Sequence, residues 1–426
     1  MSQSTSRRVF LRSLAGVSVA WLAPGAAERG ALADVKRAVE TLPPDPADAA
    51  RDELFWSQIR AAYRQSPLFS NMESGFYSPT PEPVLETMCD GARRINETPS
   101  FYMRRRQDEE RAAVRRELAR FVGVGHDEIV VTRNTTESLN TVIHGLELGP
   151  DDGVLYCGRE YSSMREALEQ RAERYGLNLQ KIDLPYLPGD PDAIVKAYAD
   201  AITPATKVIL VSHVIYLTGQ ILPVRAICDM AHARGIEVIC DAAHSIGHLE
   251  FKIPDLDCDY LGSSLHKWLG APLGNGLLYV RKNKIPKVWP LLGDSALPKD
   301  DIRKLEHLGT LPVHNQLAIA HAIRFHESIG SARKEARLRH LKDSWTQRVI
   351  EHPRVGLATP TEPERSCAIA TVTVDGIDSH EVARRLYDEH RVFTVAVPQG
   401  VRIAPNLHAT KSDVDRLVEG LLAIAG

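Results

Sequence analysis

An α/β fold is predicted, with a large, mostly parallel sheet domain followed by a smaller α+β C-terminal domain, and three observations predict it. The chain has 426 residues, 43% apolar and 25% charged, the makeup of a globular protein with room for two or three domains. From about Ala112 to Val280, apolar strand-like runs alternate with helical periodicity, as in sheets whose strands are joined by crossover helices. After about Pro312 this alternation gives way to a long helical stretch and then short strands. Lysine and arginine total 52 against 55 acidic residues, a net charge of −3 that would hold no polyanion, so nucleic acid is not an expected partner.

Residues 1–33 read as an export signal. Ser6-Arg7-Arg8-Val9-Phe10-Leu11-Arg12 places a twin-arginine pair before an apolar run from Leu14 to Ala23, and Ala31-Leu32-Ala33 offers small residues to a peptidase. The run is shorter than the roughly 20 residues a membrane span needs, and no later segment is long and apolar enough, so no span is expected. The expected location is the periplasm, reached already folded. Residues 34–70, with the stiff Pro43-Pro44-Asp45-Pro46, are expected to pack on the small domain.

The large domain is placed at 71–312. Its expected elements are a helix over 111–121, strand 128–132, helix 137–145, strand 153–157, helix 164–175, strand 207–211, helix 224–233 and strand 236–241. Asp259-Tyr260-Leu261 then leads into Gly262-Ser263-Ser264-Leu265-His266-Lys267. The small domain, 313–426, is expected to hold a helical stretch to 350, strand 368–374, helix 379–389, strands near 392–395 and 401–404, and a capped helix from Thr410. Six cysteines lie scattered without a CxxC, several in apolar runs, and read as buried thiols.

Three polar clusters follow strands, where open α/β sheets place their sites. Lys267 sits on a short turn between Gly262 and Gly270; a lysine that forms a Schiff base must be held in place and partly desolvated. Asp241 ends an apolar strand in Asp241-Ala242-Ala243-His244. A carboxylate there is costly without a cationic partner such as a protonated pyridine nitrogen, although it could simply cap the next turn. Arg133-Asn134-Thr135-Thr136-Glu137 could gather amides and hydroxyls on a phosphate at a helix N-terminus, or be a plain N-cap.

With Glu160-Tyr161, Ser212-His213 through Thr218-Gly219, Gly309-Thr310 and Val401-Arg402-Ile403, these clusters follow one another in an order that resembles the class V aminotransferase family. These are fold-type I pyridoxal-phosphate enzymes, and the resemblance runs from about Asn71 to the C-terminus. It is strongest to the isopenicillin N epimerase-like subgroup, whose exported members include periplasmic siderophore-tailoring aminotransferases. The resemblance implies pyridoxal 5'-phosphate as cofactor, with Lys267 holding it as an imine and then acting as base at the substrate's α-carbon, and Asp241 keeping the pyridine nitrogen protonated. It implies Tyr161 stacked on the cofactor, His244 near its phenolic oxygen, and Thr135, Thr136, Ser264 and His266 on its phosphate. Thr310 would reach the phosphate of a neighbouring subunit, so a homodimer is expected, and Arg402 would bind the substrate carboxylate. Tyr216 stands where many relatives carry an asparagine, so it shares the phenolic-oxygen assignment with His244. The stretch from Val395 to Arg402 is short and lacks the cysteine that desulfurases carry there, which argues against that activity.

The expected function is therefore aminotransferase-like chemistry on the α-carbon of a small-molecule amino acid or a peptide-borne amino acid group. Epimerisation and C–S or β-elimination are the alternatives within the family. Outside it stand an exported solute-binding protein, a nicotinamide enzyme, for which no GxGxxG follows the first strand, and a metal hydrolase built on His244, His248 and Glu250. Gly247 interrupts the helical face that such a metal site needs, so no metal is expected.

Overall fold

The computed structural model describes residues 42–184, 190–294 and 296–426, together with residues 30, 33, 35 and 37–40. The signal assigned to residues 1–33 lies outside the described residues, apart from positions 30 and 33.

A seven-stranded sheet forms the centre of the large domain. Its strands are β2 (Ile129–Thr132), β3 (Gly153–Cys157), β4 (Asn178–Ile182), β5 (Thr206–Ser212), β6 (Glu237–Asp241), β7 (Tyr260–Ser264) and β8 (Gly276–Val280); β1 (Ser70–Asn71) lies outside it. The spatial order is β2-β8-β7-β6-β5-β3-β4. Strands β4, β3, β5, β6 and β7 run parallel, whereas β8 is antiparallel to both β7 and β2. Strands β2, β3, β7 and β8 are buried along their whole length, as expected of strands covered by helices on both faces.

Several elements escape the sequence pattern, three of them in or beside the large sheet. Strand β4 reads Asn178-Leu179-Gln180-Lys181-Ile182 and is half-exposed at the sheet edge, so it carries no apolar run. The helix Pro191–Ala201 that follows it and the antiparallel β8 were also not anticipated. The helical stretch expected to 350 consists of two helices, Val313–Ile329 and Ser331–Val349, because Gly330 adopts φ 93° and breaks the ladder. The first packs on the helices Glu82–Glu97 and Gln107–Val122 of the large domain.

The smaller sheet is antiparallel, β12-β13-β10-β9, built from β9 (Val355–Leu357), β10 (Ala370–Val374), β12 (Val395–Val397) and β13 (Gly400–Ile403). The helices Ser379–His390 and Lys411–Ala425 pack together, the second started by a reciprocal cap between Thr410 and Asp413. The segment before residue 70 is tied to this end of the molecule. Arg337 grips both carboxylate oxygens of Glu53 at 2.6 and 3.1 Å and lies over the Trp56 ring at 5.5 Å, while β1 pairs in parallel with β11 (Val392–Phe393). Among the described residues no helix is long and apolar enough to cross a membrane.

Candidate active site

The carboxyl ends of β5, β6 and β7 converge on a cavity of about 280 Å³, where ligands bind in open α/β sheets. Its walls include Asp241 and His244 after β6, Ser264, His266 and Lys267 after β7, and Thr135 and Thr136 at the start of the helix Thr135–Gly145. Tyr161 and Tyr216 also line it and meet edge to face at 5.1 Å. Of the residues singled out in the sequence, the cavity gathers all but two, Thr310 and Arg402.

Lys267 is reached by the short turn after β7, and burial pushes its amine down to about 8; Asp241 opposes the shift and Arg402 adds to it. The Lys267 Nζ lies 3.2 Å from His244 Nε2. The indole Nε1 of Trp268 donates to His244 Nδ1 at 3.2 Å. Since an indole N–H can only donate, His244 Nδ1 is the accepting nitrogen and Nε2 carries the hydrogen. Burial, followed by the Lys267 charge, holds His244 well below the ordinary histidine range, so its ring is neutral. The neighbouring His248 stacks flat on Trp268 at 4.0 Å. Its two ring nitrogens face His244 O at 2.7 Å and the Ala368 amide at 2.9 Å, so it is fully engaged behind the site. No group of three or more metal-ligating side chains occurs among the described residues.

Asp241 is 4% exposed. Burial raises its carboxyl, while the Ala243 amide, donating at 2.9 Å, and the Lys267 charge partly offset this. A buried carboxylate with one backbone donor and no adjacent ion pair lacks a cation. A protonated pyridine nitrogen is chemically suited to that role. Beside it, burial lifts Glu160 to about 8; its carboxyl pairs with the Ser212 hydroxyl and accepts from the Ser212 amide at 3.2 Å.

The other end of the cavity suits an anion. Asn134 caps the helix by accepting from Glu137 N at 2.9 Å, and the Thr135 hydroxyl and amide meet Ser264 Oγ at 2.8 and 3.0 Å. Hydroxyls thus cluster at a helix N-terminus, where the helix dipole favours negative charge. Close packing with β8 places this turn: a Cβ on Gly276 would fall 2.6 Å from Asn134 N, so only glycine fits there. His266 points Nδ1 at Asn275 O, 3.2 Å away, and burial pushes its ring down to about 4. The donor set therefore fits pyridoxal phosphate at both ends, with Lys267 between them. Replacing both Thr135 and Ser264 by alanine should weaken cofactor retention by about one to two orders of magnitude, at about 1 kcal/mol per lost hydrogen bond, as measured by dialysis and absorbance.

Thr310 is exposed and does not line the cavity of its own chain. Arg402 lies beside the cavity but is fully buried, its fork held by both oxygens of Glu73 at 3.0 and 2.7 Å. In this structure its fork is therefore not open to a substrate carboxylate. Sequence reasoning missed Glu73, Phe76, Tyr77 and Trp268. Trp268 directly follows a motif that was noticed, but nothing local in the sequence signals that residue 73 meets residue 402.

Comparison with known proteins places these features in company. The sequence profile of the family described as Aminotransferase class-V matches residues 77–417. The isopenicillin N epimerase of Streptomyces clavuligerus is 30% identical over 392 residues, covering 87% of this chain and 98% of that protein. A probable cysteine desulfurase of Halobacterium salinarum is 29% identical over 82% of this chain and 89% of its own length. Among solved structures, the cystine C-S lyase C-DES, in a mutant form with glycine covalently linked to its PLP cofactor, shares the fold with a TM-score of 0.77 at 20% identity. It covers 85% of this chain and 98% of its own.

Proposed function

The chain belongs to the aminotransferase class-V family of pyridoxal-phosphate enzymes, and from that premise we propose that it is an exported, aminotransferase-like enzyme acting at the α-carbon of an amino acid or a peptide-borne amino acid group. The observation that carries this reading is the desolvated Lys267, in contact with a neutral His244 and sharing one cavity with the buried Asp241. Pyridoxal phosphate bound there supplies an electron sink for negative charge at the α-carbon.

The chain's own residues do the rest. Asp241 would hold positive charge at the pyridine nitrogen, and Thr135, Thr136 and Ser264 would seat the phosphate. Lys267 would hold the cofactor and serve as the base that takes the α-proton; an amine lowered to about 8 has a sizeable neutral fraction at working pH. His244, with Nδ1 committed to Trp268, presents Nε2–H to the reacting face. Trp268→Phe removes that commitment while keeping the apolar bulk. Turnover should fall about tenfold, the cost of one hydrogen bond at a buried site, with His244 ring nitrogen shifts in NMR showing the altered tautomer.

Transamination is the leading reading; epimerisation is the second, favoured by the identity with the Streptomyces clavuligerus enzyme. Desulfuration has little support, because β12 and β13 form a tight hairpin with Val397 opposite Gly400 and no cysteine between them. Cys367 is fully buried with its thiol pushed up to about 12. Incubation with amino donors separates the outcomes: conversion of the cofactor to its amine form marks transamination, solvent deuterium uptake without it marks epimerisation, and ammonia release with a keto product marks elimination. A preparation with no near-visible absorbance bleached by borohydride would refute the cofactor reading.

Export rests on the Arg7-Arg8 pair. Replacing both with lysine should leave the protein in the cytosol, as measured by fractionation; continued export would refute that route. A homodimer is supported by Tyr77 and Leu273 at the cavity mouth, exposed by 68% and 62%, large apolar side chains that a second copy would cover.

A further inference from the structure

We infer that Glu160 is a positioning residue of this site and works as a neutral acid. It straps the turn carrying Tyr161 to the end of β5 and leaves the negative charge at the ring-nitrogen end of the cavity to Asp241. The inference rests on the cofactor reading above and adds to the same site a residue that stands behind its wall.

The strap consists of two contacts to one residue. Glu160 is 1% exposed and lies in the turn between β3 and the helix Ser162–Tyr175, directly before Tyr161, which stands at the head of that helix and lines the cavity. Its Oε1 accepts from Ser212 N at 3.2 Å, and its Oε2 meets Ser212 Oγ. Ser212 ends β5 and lines the cavity as well, opposite Asp241 in the register of β5 with β6. One carboxyl therefore ties the Tyr161 turn to the strand end beside Asp241, and the aromatic wall of the cavity is held at a fixed spacing from its acid.

With Oε1 taken by the amide, Oε2 is the oxygen that carries the proton, against the Ser212 hydroxyl. Burial favours the neutral form most; the Ser212 hydroxyl opposes it, the Asp241 charge adds to it, and the Ser212 amide and Arg165 oppose it least, which together put the carboxyl at about 8. The Cys157 thiol of β3 and the Tyr198 phenol of the helix Pro191–Ala201 face Glu160 too. Burial, and then the Glu160 charge, raise both, so they stay neutral. Arg159, the neighbour in the chain, is engaged with Leu184 O. Two buried carboxyls beside one cation share a single negative charge. The cofactor's ring nitrogen would supply that cation to Asp241, and a protonated Glu160 does not compete for it.

The test uses the cofactor-loaded full chain. At pH 7 its infrared spectrum should contain a protonated-carboxyl C=O band that disappears in Glu160→Gln and that fades in wild type as the pH rises through about 8. Glutamine reproduces the neutral acid, since its amide can accept from Ser212 N and donate to Ser212 Oγ. Cofactor retention on dialysis and the induced near-visible circular dichroism of Glu160→Gln should therefore stay within about twofold of wild type. Glu160→Ala removes the strap, so retention should weaken about tenfold, as for one or two lost buried hydrogen bonds, and the dichroism should fall. A wild-type spectrum without that infrared band, or a Glu160→Gln protein as impaired as Glu160→Ala, overturns the neutral acid. A folded Glu160→Ala protein with wild-type retention and dichroism overturns the strap. If Glu160→Ala does not fold, the infrared band and the Glu160→Gln protein decide alone. A wild-type preparation without near-visible absorbance refutes the cofactor reading instead, and the infrared band still decides the state of Glu160.

Discussion

Lys267→Ala should abolish the borohydride-sensitive absorbance and reduce turnover by at least about 10³-fold, within the range a positioned acid–base group contributes. Two further measurements tie this loss to the amine itself and not to damage of the fold. The first is the pH dependence of cofactor capture by the apoprotein. With the amine at about 8, the neutral, reactive fraction grows about fivefold from pH 7 to 8 and less than about twofold from 8 to 9, whereas an ordinary lysine near 10.4 would keep gaining about tenfold per unit. A capture rate still climbing steeply above pH 9 would show that burial has not lowered the amine.

The second is stability. The folded pKa of Lys267 lies below its unfolded value, so between about pH 8 and 10.5 the unfolded chain holds the extra proton. This group's contribution to apoprotein stability therefore rises with pH across that window, and below it the penalty is constant. Lys267→Met removes the buried charge and should raise the melting temperature of the apoprotein by several degrees at pH 7, the sign expected when a cost of order 3 kcal/mol is relieved. Catalysis should be lost while stability is gained, since the lysine is kept for its chemistry at the expense of the fold.

Asp241→Asn carries the second large effect. The change is nearly isosteric and leaves the Ala243 amide with an oxygen acceptor, so the fold should hold, but a buried cation facing residue 241 would lose its counter-charge. Removing one member of a buried charge pair costs about 3–5 kcal/mol, and turnover should fall by about 10²–10³-fold. Cofactor binding, secured at the other end by Thr135, Thr136 and Ser264, should weaken less. Measurement of kcat and of cofactor release by dialysis separates the two, and an Asp241→Asn enzyme within about threefold of wild-type kcat would remove Asp241 from the mechanism.

Much of this was legible in one dimension. Lys267, Asp241, His244, Thr135, Thr136 and Ser264 each follow directly from a strand, and a parallel sheet delivers strand ends to one rim, so local pattern was enough to place them together. Strand β4 was not legible because an edge strand with a polar face carries no apolar run. Strand β8 was hidden in a glycine-rich return whose direction no periodicity encodes, although Gly276 proves to be what lets the turn at Asn134 approach. Trp268 is buried, and its indole hydrogen selects the tautomer of His244, which nothing in the local sequence signals.

The sequence by itself determined the α/β class, the family and which polar residues end the strands that meet at the cavity, because strand-end chemistry and helix capping are set by neighbours along the chain. Only the tertiary structure decided the state of Arg402. Its partner Glu73 lies 329 positions away, and whether a guanidinium is open or already paired depends on which charges folding encloses with it. Charge pairing across such distances leaves no periodic trace in a sequence, yet inside a protein it governs what a site can accept.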